Sequence, residues 1–266
     1  ALFEITKARL VAIADNKSKV YGNVNPDFTG IIEGVVANDV IVATYNSAAN
    51  EASPVQTYAI TISLDGAALS NYEVEKTDGI LTITQRPIGV TAIVQQKMFN
   101  QVDPALTYSI TSGTLVGNDD FAGQLAREAG EVAGIYAIGQ GTLTVGSNYN
   151  LTFVGADFTI HAIPTVTIVN PAPVQYGTKV EVVANYTGIV NNPEWVWGFT
   201  AHTSGVQSAT AITGSTNVPS IPGVHKLVLR YNDAVGQTHT TEPVFLSVYD
   251  PEGGFVTGGG WINSPM

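Results

Sequence analysis

The chain has 266 residues, 44% of them apolar and only 12% charged, with 27 Gly, 13 Pro and no Cys. Its net charge of −11 supplies no excess of cations to release counterions from a phosphate backbone, which excludes nucleic acid as an expected partner. No apolar run reaches the ~18 residues of a spanning helix, so no membrane insertion is expected, and the lack of Cys removes disulfides and thiolate metal sites.

At roughly 100–200 residues per domain the length suits two or three domains. Low charge with many Gly, Thr, Val and Tyr suits an all-β composition. One stretch occurs twice. Ser70-Asn71-Tyr72-Glu73-Val74 returns 77 residues later as Ser147-Asn148-Tyr149-Asn150-Leu151. Each copy opens on a Ser-Asn turn and continues as an alternating apolar run. A short Gly/Asp loop follows, then a second alternating run that ends on Leu81 and Ile83, or on Phe158 and Ile160. This pattern predicts a β-hairpin with one apolar face. A lone hairpin is unstable in water, so it needs the rest of its own repeat to pack on. Tyr72, Leu81, Ile83, Tyr149, Phe158 and Ile160 are expected in the core, the two tyrosines with the hydroxyl at its edge.

The match extends outward. Ile5–Ala12 aligns with Ile83–Val90 at a shift of 78, Tyr21 meets Phe99, and Pro26 meets Pro104. Asn38-Asp39 meets Asn118-Asp119 at 80, and Tyr58-Ala59-Ile60 meets Tyr136-Ala137-Ile138 at 78. A near-constant shift along the whole unit marks an internal repeat. In the second copy, strands are predicted at Ile88–Gln95, Thr107–Ser112, Gly134–Gln140, Tyr149–Val154 and Phe158–Ile163. Asn118-Asp119-Asp120-Phe121-Ala122 has an Asn cap and acids in its first turn, which predicts a short helix.

Asp103-Pro104-Ala105-Leu106-Thr107-Tyr108, Gly113 to Asp119, Gly134-Ile135-Tyr136-Ala137-Ile138 and Gly146-Ser147-Asn148-Tyr149 together resemble the MBG ("mostly β-grasp") repeat of large bacterial surface and secreted proteins. The first copy keeps Val20-Tyr21-Gly22 at the usual Tyr-Gly turn, whereas the second has Met98-Phe99-Asn100-Gln101 there. The resemblance implies β-grasp-like modules with a surface role and no catalytic residues. It places module 1 at 1–85 and module 2 at 86–162. Residues 2–7 then resemble the end strand of a further repeat upstream, beyond which a signal peptide is expected.

Past His161-Ala162-Ile163-Pro164 the repeat stops. Alternating strands are predicted at Thr165–Val169, Lys179–Asn185, Glu194–Phe199, Val224–Asn232 and Val244–Tyr249, the spacing of a β-sandwich. Pro222-Gly223 through Asp233-Ala234-Val235-Gly236 and Trp195-Val196-Trp197-Gly198-Phe199 resemble the PKD-type immunoglobulin-like domain, here 163–250, with Leu227 and Leu229 in its core. Residues 251–266 resemble the truncated start of another module. The fold class is therefore mostly β, an elongated tandem array of two β-grasp-like modules and one Ig-like sandwich.

Signals for chemistry are few. The histidines, His161, His202, His225 and His239, include no pair three to five residues apart. No nucleophile elbow, Walker loop or dinucleotide fingerprint occurs. No enzyme activity and no cofactor are expected. Asp15-Asn16 and Asn118-Asp119-Asp120 offer oxygen ligands for calcium, but such residues also stabilise turns without metal. Trp195, Trp197 and Phe199 share one strand face. They are either an aromatic platform for a glycan or the packed core of the sandwich. The leading reading is a monomeric stalk or adhesin-type spacer outside the cell. Its rival is a glycan- or protein-binding accessory region of a secreted hydrolase.

Overall fold

The computed structural model describes residues 6–199, 202–218 and 220–253, and the backbone of 255–257 and 260–262. Residues 2–5 of the expected end strand, and much of the tail module 251–266, lie outside the described residues.

The two repeats fold strand for strand alike. The first forms β1 (Ala8–Ala14), β2 (Lys17–Val20), β3 (Gly30–Glu33), β4 (Val42–Asn46), β5 (Thr57–Asp65), β6 (Tyr72–Thr77) and β7 (Gly79–Thr84). The second forms β8 (Arg86–Ala92), β9 (Gln95–Met98), β10 (Tyr108–Ser112), β11 (Ala126–Arg127), β12 (Gly134–Gly139), β13 (Tyr149–Val154) and β14 (Ala156–His161). Repeat 1 makes two sheets, in the orders β3-β1-β6 and β2-β7-β5-β4. In repeat 2, β10-β8-β13 reproduces the first sheet, and β9 pairs with β14 as β2 does with β7.

The expected hairpin does not form. β6 pairs in parallel with β1, while β7 pairs in parallel with β2 and antiparallel with β5, so the two runs lie in different sheets. Only Asp78 separates β6 from β7, and only Gly155 separates β13 from β14. One residue is too few for even the two-residue turn of a tight hairpin. The chain turns a corner instead, and β1 turns the same corner into β2 at Asp15-Asn16. Asn16 fastens the two corners together, its Oδ1 accepting the Ile80 N–H at 2.7 Å. A Cβ on Gly79 would come within 2.6 Å of the Asp15 carbonyl, so the crossing requires glycine.

The short helix expected at Asn118–Ala122 is also absent. Among the described residues the only helical turn is a 3-10 turn at Leu69–Asn71. Gly117 and Gly123 both have positive φ (56° and 80°), which interrupts helical backbone on either side, and Ala122 is drawn into a β-bridge with Thr144. The Asp119 N–H closes a turn on the Val116 carbonyl at 3.0 Å.

The chain forms two compact units whose limits cut through the second repeat. The first holds Ala1–Ile93, Leu106–Arg127 and Ile138–Ala156; the second holds Val94–Ala105, Glu128–Ala137 and Asp157–Met266. Within the first unit, Ile60, Ile62, Leu81 and Ile83 of repeat 1 share one apolar core with Ile88, Val145 and Tyr149 of repeat 2. The strands explain why. β7 runs into β8 across Gln85 alone, so the apolar faces of Ile83 and Ile88 are joined by nearly continuous extended chain. Pro87 lies inside β8 opposite Asn150. β10 begins to pair only at Gly89, so Pro87 sits beyond the end of that ladder.

The second unit carries a two-sheet β-sandwich. Its strands are β15 (Thr165–Ile168), β16 (Val174–Gln175), β17 (Lys179–Thr187), β18 (Asn191–Trp197), β19 (His202–Ser204), β20 (Val206–Gln207), β21 (Ala211–Asn217), β22 (Gly223–Asn232), β23 (Thr238–Thr240) and β24 (Val244–Tyr249). The sheets run β15-β17-β21-β20 and β16-β24-β22-β18-β19, with β23 added to β22. Trp195, Trp197, Leu227 and Leu229 fill the space between them with Val182, Ile212 and Leu246. The sequence Ala211-Ile-Thr-Gly-Ser-Thr-Asn is too polar and Gly-broken to announce β21. Its Gly214 makes room for the Trp195 indole, which a Cβ there would strike. Gly214→Ala is therefore expected to lower the sandwich's stability by about 1–3 kcal/mol, as overpacked cores do, read from the shift of its denaturant midpoint.

Candidate functional site

The most elaborate polar arrangement of the first unit lies where repeat 1 meets repeat 2. It is built on the turn that ends β2. Gly22 takes φ 81°, and the Asn23 N–H donates to the Val20 carbonyl at 3.0 Å. Repeat 2 has Phe99-Asn100-Gln101 at this position and keeps the turn: Asn100 takes φ 65°, and the Gln101 N–H donates to the Met98 carbonyl at 3.1 Å. Asn is among the few residues with a side chain that enter the left-handed region readily, so it can replace glycine here.

The turn of repeat 1 aims Tyr21 at repeat 2. The Tyr21 hydroxyl donates to Asp119 Oδ2 at 2.9 Å, and the Tyr149 hydroxyl donates to the same oxygen at 2.6 Å. The two rings meet edge to face, centroids 5.6 Å apart. The Val116 N–H donates to the Tyr149 oxygen at 2.8 Å, so this phenol both gives and receives. Beside Tyr21, Gly22 lies against the Val116 side chain, closely enough that any Cβ would clash.

Arg86, the first residue of β8, fastens the joint from the other side. Its guanidinium donates to the Tyr21 carbonyl (3.0 Å), Asn23 Oδ1 (3.1 Å) and the Thr114 carbonyl (3.1 Å). Asn148 adds a further tie, its Oδ1 accepting the Val55 N–H at 3.0 Å. The planar fork of arginine suits such a divergent set of acceptors.

These contacts set the electrostatics. Burial, and then the hydrogen bond to Asp119, push the Tyr149 phenol up to about 12. The Tyr21 phenol is raised by the same causes in the same order. Repeat 1 contains the matching pair: the Tyr72 hydroxyl donates to Asp39 Oδ2 at 2.5 Å and accepts from the Val36 N–H at 2.9 Å. The bond to Asp39, and then burial, raise Tyr72.

A buried lysine also recurs, on the strand before the turn. Lys19 Nζ donates to the Asn23 and Asn50 carbonyls at 2.9 and 2.7 Å, and burial lowers its pKa. Lys97 is held by Asp103 and Glu131 at 2.6 and 2.5 Å, and those bonds, Asp103 first, raise it. The same position is satisfied by carbonyl dipoles in one repeat and by carboxylates in the other.

Trp195 and Trp197 are both buried, Phe199 packs partly buried against them, and the Trp197 Nε1–H donates to Thr203 Oγ1 at 3.0 Å. Neither indole presents a face for a sugar, which corrects the platform reading in favour of the core. Tyr72, Leu81, Ile83, Tyr149, Phe158, Ile160, Leu227 and Leu229 are buried. Of the oxygens considered for calcium, Asp15 accepts from Thr29 Oγ1 at 2.5 Å, Asn16 from the Ile80 N–H, Asp119 from two phenols and Asp120 from the Phe121 N–H.

Asp233, one position past the predicted strand Val224–Asn232, organises the β22–β23 turn. Its carboxylate accepts the Val235 and Gln237 N–H groups at 3.0 and 2.9 Å and meets His239 Nε2 at 2.8 Å. Burial alone would raise its pKa, but His239 and the two amides outweigh burial and hold it below the ordinary carboxylate value.

Compared with known families, the chain matches the one described as MBG domain (YGX type) over residues 10–82 and 88–159. No curated protein matches. Among solved structures, it is similar to titin domains I67–I69 in an E-to-A mutated variant (8% identity, TM-score 0.31, 88% of this chain and 95% of that one). It is also similar to the fibronectin(III)-like modules of Clostridium thermocellum CbhA (11%, 0.29, 82% and 100%). A third is the Bacteroides ovatus mixed-linkage glucan utilization locus SGBP-B in complex with a mixed-linkage heptasaccharide (13%, 0.20, 94% and 69%).

Two outcomes are expected at the joint. Tyr149→Ala should cost about 3–5 kcal/mol, as large aromatic truncations in cores do, and Tyr149→Phe about 1–3 kcal/mol for the bonds lost around a buried amide and carboxylate, both read by denaturant titration. The pH dependence follows from the raised phenols. Folded Tyr149 keeps its proton up to about 12, whereas an unfolded tyrosine loses it near ~10. The stabilisation is thus whole below the unfolded value and is lost as pH rises towards about 12. Melting temperature should fall across that window, and Tyr149→Phe should flatten the fall.

Proposed function

Since the chain belongs to the MBG domain (YGX type) family, we propose that it is a non-catalytic repeat region of a large bacterial extracellular protein, a spacer whose work is mechanical. The observation that carries this reading is the joint. β7 continues into β8, and the two repeats share one apolar core together with the Tyr21–Asp119–Tyr149 cluster. Load or bending at the boundary must therefore break core packing rather than flex a linker. Low charge and an all-β build suit such an array, and among the described residues no helix is long and apolar enough to cross a membrane.

In this reading the modules are 1–85, 86–162 and 163–250. The β-grasp likeness rests on mixed sheets with a parallel pair at one edge, β2–β7 and β9–β14. The PKD-type likeness of the sandwich rests on the Asp233–Gly236 turn and the buried Trp195 of β18. Glycan recognition through Trp195 and Trp197 has no support in their burial, so an accessory binding role would need another surface.

Native-state hydrogen exchange tests the mechanical reading. Amides of β5, β7, β8 and β13 should open with one shared free energy, and Arg86→Ala should divide them into two groups. Independent opening of β8 and β13 in the unaltered protein would remove the basis of the proposal. The purified chain should also show no turnover of esterase, protease or glycosidase substrates above buffer; turnover abolished by one carboxylate substitution would overturn it.

A further inference from the structure

The joint is asymmetric. Repeat 1 supplies a Tyr-Gly turn, and repeat 2 supplies the receptor that holds it, made of Val116, Asp119, Asn148 and Tyr149. Repeat 1 carries the same receptor at the matching positions, Val36, Asp39, Asn71 and Tyr72. Its internal bonds are those of the occupied one: Tyr72 hydroxyl to Asp39 Oδ2, and Val36 N–H to the Tyr72 oxygen. Its turn closes in the same way, the Asp39 N–H donating to the Val36 carbonyl at 3.1 Å.

The surroundings differ as an occupied site differs from an open one. Val116 is partly buried under Gly22, whereas Val36 is 53% exposed. Asn148 is partly buried and bonded to the Val55 amide, whereas Asn71 is exposed. A cavity of about 490 Å³ lies over the repeat 1 receptor, lined by residues that include Lys7, Val36, Asp39, Asn71 and Tyr72. Asp39 Oδ2 accepts from Tyr72, and its counterpart Asp119 Oδ2 shows that one such oxygen takes a second phenol.

We propose that the Val36–Asp39–Tyr72 surface is a docking site for the Tyr-Gly turn of another MBG repeat. The occupant's tyrosine would set its ring edge on Tyr72 and donate its hydroxyl to Asp39 Oδ2. Its glycine would lie against Val36, because the close approach seen at Val116 admits no side chain. The chemistry is selective: a phenol followed by a glycine in the left-handed region. Phe99-Asn100 of repeat 2 lacks both the hydroxyl and the glycine, so repeat 2 is a poor donor for this receptor. This inference deepens the array reading by naming what joins one repeat to the next.

The chain has no Cys, so single-cysteine variants give disulfide capture without background. The probe is a synthetic peptide of residues 17–26 that keeps Tyr21 and Gly22 and carries Asn23→Cys, equilibrated with the full chain under mild reductant. Capture at Val36→Cys should exceed capture at Val102→Cys, a 91% exposed control, by about tenfold, the worth of one net buried hydrogen bond with its contacts. Replacing the peptide's tyrosine by Phe leaves its charge unchanged and should remove most of that excess, as should Asp39→Asn in the chain. Equal capture at Val36→Cys and Val102→Cys, or capture indifferent to the tyrosine hydroxyl, would overturn the inference. Either result would leave the array reading to its own exchange test, since shared opening of β7 and β8 does not involve this receptor.

Discussion

Each repeat turns one alternating chain through a corner, and that corner dictates the packing of the first unit. A single residue between β6 and β7 places consecutive strands in separate sheets, each with an apolar face to cover. The extended passage through Gln85 then puts Ile88 of the next repeat into the core that holds Ile83. The hydrophobic core is thus shared by neighbours in sequence, so the second repeat is a structural part of the first. Solenoid-like arrays gain their cooperativity from such shared faces.

On that frame, polar contacts specify how the faces meet. Apolar packing alone would let one sheet slide on another, because burial is non-directional. Asp119 removes that freedom by binding two phenols from two repeats through one oxygen. Arg86 holds the backbone of the incoming turn and so fixes its approach. The cluster is part-buried, and there an unmatched carboxylate would cost more than the bonds contribute.

The repeats also show which features physics holds constant and which it lets vary. The turn after β2 and β9 needs a residue in the left-handed region, and Gly22 and Asn100 both meet that need. The buried lysine before it needs acceptors, and carbonyls serve Lys19 where carboxylates serve Lys97. In the sandwich, Gly214 is set by the width of the Trp195 ring.

Whereas the core position of Trp195 and Trp197 came only with the structure, the sequence by itself determined the all-β class, the 77–80-residue repeat, the two-sheet sandwich, and the burial of Tyr72 and Tyr149. Those follow from side-chain period and from the need to remove apolar area from water, which are local properties of the chain. Alternation could not reveal whether Tyr149–Val154 pairs with Ala156–His161, because two strands of the same period can share a sheet or face each other across a core. Nor could it separate a capped helix from a turn at Asn118–Ala122, since the same Asx residues serve both. Only the tertiary structure brought Tyr21, Arg86, Asp119 and Tyr149 to one place. They stand up to 128 residues apart in a chain where each looks ordinary. Their meeting depends on sheet pairing and on the β7–β8 passage, which no window of sequence contains.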